Sequence, residues 1–296
     1  RHGETSCDMF PNYPINSITN GVHAATWTSP PFCRLYDLHI PEWRHDNLYL
    51  RYAISISLDQ IQRAHDEAKG ELLVQVQQRT GISLDPRVLT IGFARRATAY
   101  KRADLLFSDL DRLQKIVKEV GPIQVIYGGK AHPKDESGRS QIRRVFEAAS
   151  TLKDTIRVVY LEEYDMAIAK YFCAGVDLWL NTPLKPMEAS GTSGMKAALN
   201  GVPSLSILDG WWIEGHVEGA TGWSIGDNCE PEGNPSIESI SLYNKLESII
   251  VPMFYQKPAE FTRVMRGAIA LNGSYYNAQR MVGQYLENAY LATGKS

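Results

Sequence analysis

Residues 88–130 read VLTIGFARRATAYKRADLLFSDLDRLQKIVKEVGPIQVIYGGK, and their pattern decides the fold class. Val88–Phe93 is a short apolar run with β-branched residues, as in a buried strand. Over Ala103–Val120 the apolar positions return every three or four residues, which predicts a helix, and Ile123–Tyr127 is a second strand-like run. Two strands joined by a helical crossover pair in parallel. The alternation continues with a helix over Glu136–Thr151, a strand over Ile156–Leu161, a helix over Tyr164–Cys173 and a strand over Val176–Asn181. Pro203–Leu208 reads as a further strand and Gly222–Ile225 as a short edge strand. The pattern predicts an α/β fold with a doubly wound, Rossmann-like parallel sheet, and ligands outside the carboxyl ends of its strands. Helical patterns over Ser239–Phe254, Pro258–Leu271 and Ser274–Thr293 close the chain.

Upstream, Leu48–Thr80 is helical in pattern, with Gly70 a point where two helices could part. Thr80-Gly81 and the turn signal Asp85-Pro86 end it. A boundary is expected there, separating residues 1–81 from a Rossmann-like unit over 82–296. Residues 1–50 are rich in proline and aromatics with little periodicity, and read as an irregular segment lining a site or an interdomain surface.

Charge balance excludes some classes. Lys and Arg number 31 against 33 Asp and Glu in 296 residues, a net −2, which gives no support for a nucleic-acid or anionic-membrane binder. No apolar run approaches the roughly 20 residues needed to cross a bilayer. Cys7, Cys33, Cys173 and Cys229 are scattered without a CxxC pair and read as reduced thiols of a cytoplasmic protein. No histidine pair has zinc-ligand spacing, no Gly-x-Ser-x-Gly elbow occurs, and no GxGxxG follows the first strand.

Two loops hold the chemistry. Arg95, Arg96, Lys101 and Arg102 follow the first strand within eight residues; such a run is either a solvated basic loop or a phosphate grip, since arginine offers a bidentate fork and lysine a mobile charge. The second loop is Glu188-Ala189-Ser190-Gly191-Thr192-Ser193-Gly194-Met195-Lys196, running into a helical pattern that Asn200-Gly201 ends. Small residues let a ligand approach the backbone, and a helix start favours an anion. Lys196 is either a surface lysine on a capped helix or an amine tuned by its surroundings.

The string Glu-Ala-Ser-Gly-Thr-x-x-Met-Lys, seven matches in nine positions, resembles the cofactor segment of the α-glucan (glycogen, starch, maltodextrin) phosphorylases, nearest their shorter branch. The resemblance implies a GT-B architecture and pyridoxal 5'-phosphate (PLP) as cofactor. By that match Lys196 forms the Schiff base, Thr192 and Ser193 lie with the cofactor, and Glu188, Ser190 and Gly191 hold the glucosyl unit. The loop after the first strand resembles Lys-Arg-x-x-x-Tyr-Lys-Arg, with Arg95 in place of lysine. The match puts Arg95 beside the cofactor phosphate, Arg96 and Lys101 on the substrate phosphate, and Tyr100 facing the sugar. Gly128-Gly129-Lys130-Ala131-His132-Pro133 resembles Gly-Gly-Lys-Ala-x-Pro, so Lys130 is expected to reach the site.

Further matches are Thr19-Asn20-Gly21-Val22-His23, which makes His23 the candidate histidine at the transferred sugar, and His2–Met9, with Cys7 where the family pattern has arginine. Asp165 stands where longer members carry arginine. Leu208-Asp209-Gly210 matches as well, and Trp211-Trp212 after it serve either core packing or carbohydrate stacking. The resemblance implies phosphorolysis of an α-1,4-glucan by inorganic phosphate to α-glucose 1-phosphate, carried by a C-terminal piece of such an enzyme that turns over poorly by itself. Self-association into a homo-oligomer stays open. A cofactor-free nucleotide-sugar transferase of the same architecture and a non-catalytic glucan-binding fragment are the alternatives.

Overall fold

The computed structural model describes residues 2–226 and 233–291. Six parallel strands form one sheet: β1 Leu89–Ala94, β2 Ile123–Gly128, β3 Arg157–Leu161, β4 Leu178–Asn181, β5 Ser204–Ile207 and β6 Gly222–Ile225. Their order is β3-β2-β1-β4-β5-β6. β1 pairs with β2 from Leu89↔Ile123 to Ala94↔Gly128, and with β4 through Ile91↔Leu178 and Gly92↔Trp179. The chain thus winds outward from β1 in both directions, leaving a crevice above the carboxyl ends of β1 and β4.

The central strands are buried on both faces, as parallel strands flanked by helices are. Leu89, Ile91 and Phe93 of β1, with Ile123, Val125 and Tyr127 of β2, enter one core cluster with Leu113, Ile116 and Val145. Ala94 and Ile126 point to the opposite face, where Leu72, Val76, Phe172 and Val176 pack. The period-2 alternation of side chains across a strand divides the two layers.

The elements follow the sequence pattern with instructive departures. The expected helix over Ala103–Val120 is broken into a 3-10 turn, Leu105–Phe107, and a helix, Leu110–Glu119, because Asp109 accepts a hydrogen bond from Arg112 N and acts as N-cap. Gly70 does not divide the upstream helix, which runs unbroken over Leu58–Thr80 and ends at Gly81. Residues 1–50 are less irregular than expected: helices cover His2–Met9, Ala24–Trp27 and Pro30–His39, and Asn47–Ser55 is a 3-10 helix. The helix expected from Ser274 begins at Ala278, since Asn277, fully buried, caps it. Among the described residues no helix is long and apolar enough to cross a membrane, and no group of His, Cys, Asp and Glu side chains could hold a metal ion. Cys7, Cys33 and Cys173 are unpaired; Cys229 lies outside the described residues.

Candidate functional site

The loops leaving β1 and β4 meet above the crevice, and Arg102 fastens them. It sits at φ 45°, a left-handed conformation that costs an arginine roughly 1–2 kcal/mol and so needs support. The support is visible: Nε donates to Thr182 O at 3.0 Å, Nη2 to Pro183 O at 2.8 Å, and Nη1 pairs with Glu238 at 2.5 Å. Thr182 Oγ1 donates back to Lys101 O at 3.0 Å, and Leu184 N donates to Tyr100 O at 2.6 Å. The β2 loop joins the same frame, with Arg95 N on Gly128 O and Ala97 N on Lys130 O. Gly129 has to be glycine here: its φ is 147°, and a Cβ would lie 1.9 Å from Arg95 O.

Inside the frame, Glu188 is buried and takes two cations on one oxygen. Arg95 Nη2 donates to Oε2 at 2.6 Å, and Lys101 Nζ donates to the same atom. The Glu188 backbone N–H donates to Asp209 Oδ2 at 2.8 Å, which anchors this loop to the end of β5. Burial would raise the Glu188 carboxyl, but Arg95 and Lys101 prevail and hold it below the usual range. Burial pushes the Lys101 amine down to about 8; Arg95 adds to the push and Glu188 resists it. Tyr100, whose ring centroid lies 4.2 Å from Lys101 Nζ, is raised by burial and by Glu188. Arg96 is exposed beside this group. Two cations on one carboxylate, with a third next to them, leave the crevice net positive.

Lys196 lies on a helix of only six residues, Ser193–Ala198. No carboxylate pairs with its amine among the described residues. Instead Nζ lies 3.8 Å from the centroid of the Trp27 ring. Burial holds the amine below the ordinary lysine range, against a smaller opposing effect of Cys173. Asn200, fully buried, fixes both partners: Nδ2 donates to Trp27 O at 2.8 Å and to Lys196 O at 3.0 Å, while Oδ1 accepts from Ser29 N at 2.7 Å. Around these groups Ser190 Oγ, Ser193 Oγ, Thr98 Oγ1 and Arg95 Nη1 are buried without a hydrogen-bond partner among the described residues. Buried polar atoms are normally satisfied. Four orphans around one loop pair mark a place shaped for a polar ligand. A cleft of about 280 Å³ opens beside Ser190, lined also by Thr19, Asn20, Gly210, Trp211 and Glu214.

The structure therefore brings Glu188, Arg95, Tyr100 and Lys101 together, with Arg96 at their edge and Ser190–Lys196 alongside. Gly191 has φ 74°, and Thr192 O accepts from Lys196 N at 3.2 Å. Lys130 turns its amine to the exposed Glu163 at 2.9 Å instead of toward Glu188. His23 is exposed and caps the helix Ala24–Trp27, its Nδ1 accepting from Thr26 N at 3.2 Å. Asp165 caps the helix Met166–Gly175 by accepting from Ile168 N at 2.9 Å. Trp211 and Trp212 are 4% and 1% exposed and belong to the core cluster, with Trp211 also at the wall of the cleft beside Ser190. Sequence reasoning missed Trp27, the tie that Asn200 makes between Trp27 and Lys196, and the clamp made by Arg102; Arg102 lies in the charge run and Asn200 at a helix end, but neither pattern announces contacts to distant carbonyls.

The carbohydrate phosphorylase family matches residues 7–222. The chain belongs to the carbohydrate phosphorylase family. It is 40% identical to the maltodextrin phosphorylase of Thermococcus litoralis, over 94% of this chain and 36% of that protein. It is 39% identical to the glycogen phosphorylase of Aquifex aeolicus, over 98% of this chain and 46% of that protein. With the glycogen phosphorylase of Mycobacterium tuberculosis it shares 35% identity over its whole length and 38% of the relative. The chain thus spans less than half the length of these curated relatives.

Proposed function

We propose that this chain is the cofactor- and phosphate-binding part of an α-1,4-glucan phosphorylase, which cleaves a terminal glucose with inorganic phosphate to give α-glucose 1-phosphate. The observation that carries the reading is Lys196. It is a half-buried amine with no carboxylate, seated on an indole, in a loop whose buried hydroxyls lack partners. Such a lysine is poised to meet a carbonyl, and the orphaned donors fit the polar substituents and phosphate of PLP. Lys196 would hold the cofactor's carbonyl end, with Thr192, Ser193 and Arg95 near its phosphate. Bound there, PLP supplies a phosphate group whose second pKa of about 6 suits proton exchange at neutral pH.

The remaining residues bind and orient. Arg96 and Lys101 grip the substrate phosphate, and the Lys101 amine, drawn down to about 8, holds or releases its proton near neutrality. Glu188, Ser190, Gly191 and Tyr100 hold the terminal glucose and His23 meets the transferred sugar, while Lys130 would have to leave Glu163 to reach them. Arg95 and Lys101 keep Glu188 ionised as a hydrogen-bond acceptor for sugar hydroxyls. The division of the chain after residue 81, the cytoplasmic setting and any homo-oligomer belong to the same proposal.

Borohydride reduction of the protein produced with PLP, followed by peptide mapping, tests it. A pyridoxyl adduct on Lys196 is the expected result. A folded sample with no adduct, or with one only on other lysines, overturns the reading; binding of a nucleotide sugar by that sample would then select a cofactor-free transferase.

A further inference from the structure

The segment Thr19–Trp27 supplies the ring under Lys196 and one wall of the cleft beside Ser190, yet its path is set from the far end of the chain. Its backbone joins the start of the helix Ala278–Tyr285. Val22 N donates to Tyr276 O at 3.1 Å, and Ala278 N donates to Val22 O at 2.9 Å. The approach is close enough that a Cβ on Gly21 would lie 2.2 Å from Asn277 O. From that helix Arg280 reaches across. Its Nη1 donates to Thr19 O at 2.6 Å and its Nη2 to Asn20 O at 2.9 Å. The guanidinium is itself fixed, by Nε on Tyr275 O at 2.9 Å, by Nη1 on Gln284 Oε1 at 2.8 Å, and by the Tyr275 ring 4.6 Å from Cζ.

Arg280 therefore spends its donors on neutral oxygens, and no salt bridge joins it among the described residues. An arginine in a charge network serves bulk electrostatics; one forked onto two successive carbonyls sets the course of a backbone. On its other side the same segment is held by Thr19 Oγ1 donating to Glu214 at 2.7 Å, and farther along by Asn200 on Trp27 O. Between those ties, Arg280 is the side chain that fixes where Thr19 and Asn20 enter.

We propose that Arg280 is a positioning residue. Its fork on the Thr19 and Asn20 carbonyls holds the Thr19–Trp27 segment so that the Trp27 ring stays under Lys196 and the cleft wall stays in place. The consequence for cofactor capture rests on the proposed role of Lys196; the positioning itself does not. Lysine at 280 keeps the charge and three donors but has them on one nitrogen, without the planar fork that meets the Thr19 and Asn20 carbonyls while Nε holds Tyr275 O.

The test uses the protein as described, with Arg280→Ala and Arg280→Lys, by hydrogen–deuterium exchange and by reductive methylation of Lys196 without cofactor. In both variants, amides of residues 19–28 should exchange at least about tenfold faster, the factor carried by loss of one charge-assisted hydrogen bond. Methylation of Lys196 should accelerate alongside, while amides of β1, β2 and β4 keep their protection. Millimolar guanidinium should restore Arg280→Ala and leave Arg280→Lys unchanged. Unaltered exchange over 19–28, equal loosening of the sheet, or full function of lysine at 280 overturns the proposal. Should Arg280→Ala not fold, Arg280→Lys decides by the same exchange reading. A third arm, pyridoxyl capture on Lys196, should fall in both variants relative to the unaltered protein. If the unaltered protein captures none, the cofactor reading fails, and exchange and methylation still decide the role of Arg280.

Discussion

The amine of Lys196 lies 3.8 Å from the centroid of the Trp27 indole, with no carboxylate to pair with it among the described residues. Two effects oppose each other there. Burial disfavours the ammonium, while the ring face favours it, by about 0.5–2 kcal/mol. Burial prevails, and the amine falls below the ordinary lysine range; Cys173 is the ionisable neighbour that pulls the other way. Trp27→Leu keeps an apolar cover and removes the ring, so the amine should become neutral at lower pH than in the unaltered protein. Reductive methylation of Lys196 across pH, read by peptide mass, checks the sign: an unmoved or raised midpoint would count against the indole as the seat of the ammonium.

Glu188 carries Arg95 and Lys101 on one buried oxygen. Glu188→Gln strands two cations, and breaking a buried pair costs about 3–5 kcal/mol. The cost should depend on pH. Lys101 has its amine near 8 because burial and Arg95 outweigh Glu188; without the carboxylate it falls further. Between the two values the unaltered protein binds a proton that the variant does not, so its advantage shrinks as pH rises through 8. Urea unfolding of both proteins at pH 7 and pH 9 should give a larger gap at pH 7. A gap that is constant or grows would show that Lys101 does not depend on Glu188.

Much of the fold and part of the site are legible in the sequence, and the exceptions have physical reasons. The strands are readable because β1 and β2 are buried on both faces and hence continuously apolar. The charged loops are readable because a parallel sheet gathers the loops at its carboxyl edge, so cations just after a strand fall together. Helix limits are less so: Asp109 competes for backbone N–H groups and starts a new helix. Gly70 looks like a break, although its cost of roughly 1 kcal/mol is small beside the apolar face of Ile61, Ala64, Ala68, Leu72 and Val76. Contacts such as Trp27 with Lys196, or Arg280 with Thr19, join distant parts of the chain through one ring or two carbonyls, and no local pattern announces them.

Arg102 holds the two site loops together, and its removal should be felt at both. Arg102→Ala loses the bonds to Thr182 O and Pro183 O and leaves the buried Glu238 carboxylate unpaired. A loss of about 3–5 kcal/mol is expected for a broken buried pair, the strain of the left-handed backbone at 102 being common to both proteins and so cancelling. Arg102→Lys should recover only part, since one ammonium cannot serve three acceptors in a fork. Thermal unfolding gives the stability, and exchange of the Leu184 amide, bonded to Tyr100 O, reports on the loop junction. Full recovery by lysine would mean that charge alone matters there.

Asp177 stands at the opposite end of the sheet and ties the helix Leu58–Thr80 to β1. Its Oδ1 is bonded to His65 Nε2 at 2.8 Å, and its Oδ2 accepts from Lys69 Nζ at 2.6 Å and Thr90 N at 2.7 Å. Burial would raise this carboxyl, but Lys69 and His65 hold it below the usual range. A depressed carboxyl adds stability that is present above its unfolded value of about 3.9 and is lost as pH falls through the lower folded value. Asp177→Asn removes the charge from this buried pair, with an expected loss of about 3–5 kcal/mol at pH 7. Because the variant has no proton to take up at this position, the gap between the two proteins should narrow as the pH drops below about 4. Urea midpoints at pH 7 and pH 3 measure it. Equal gaps at both pH values would mean that the packing of Asp177, and not its charge, couples the helix to the sheet.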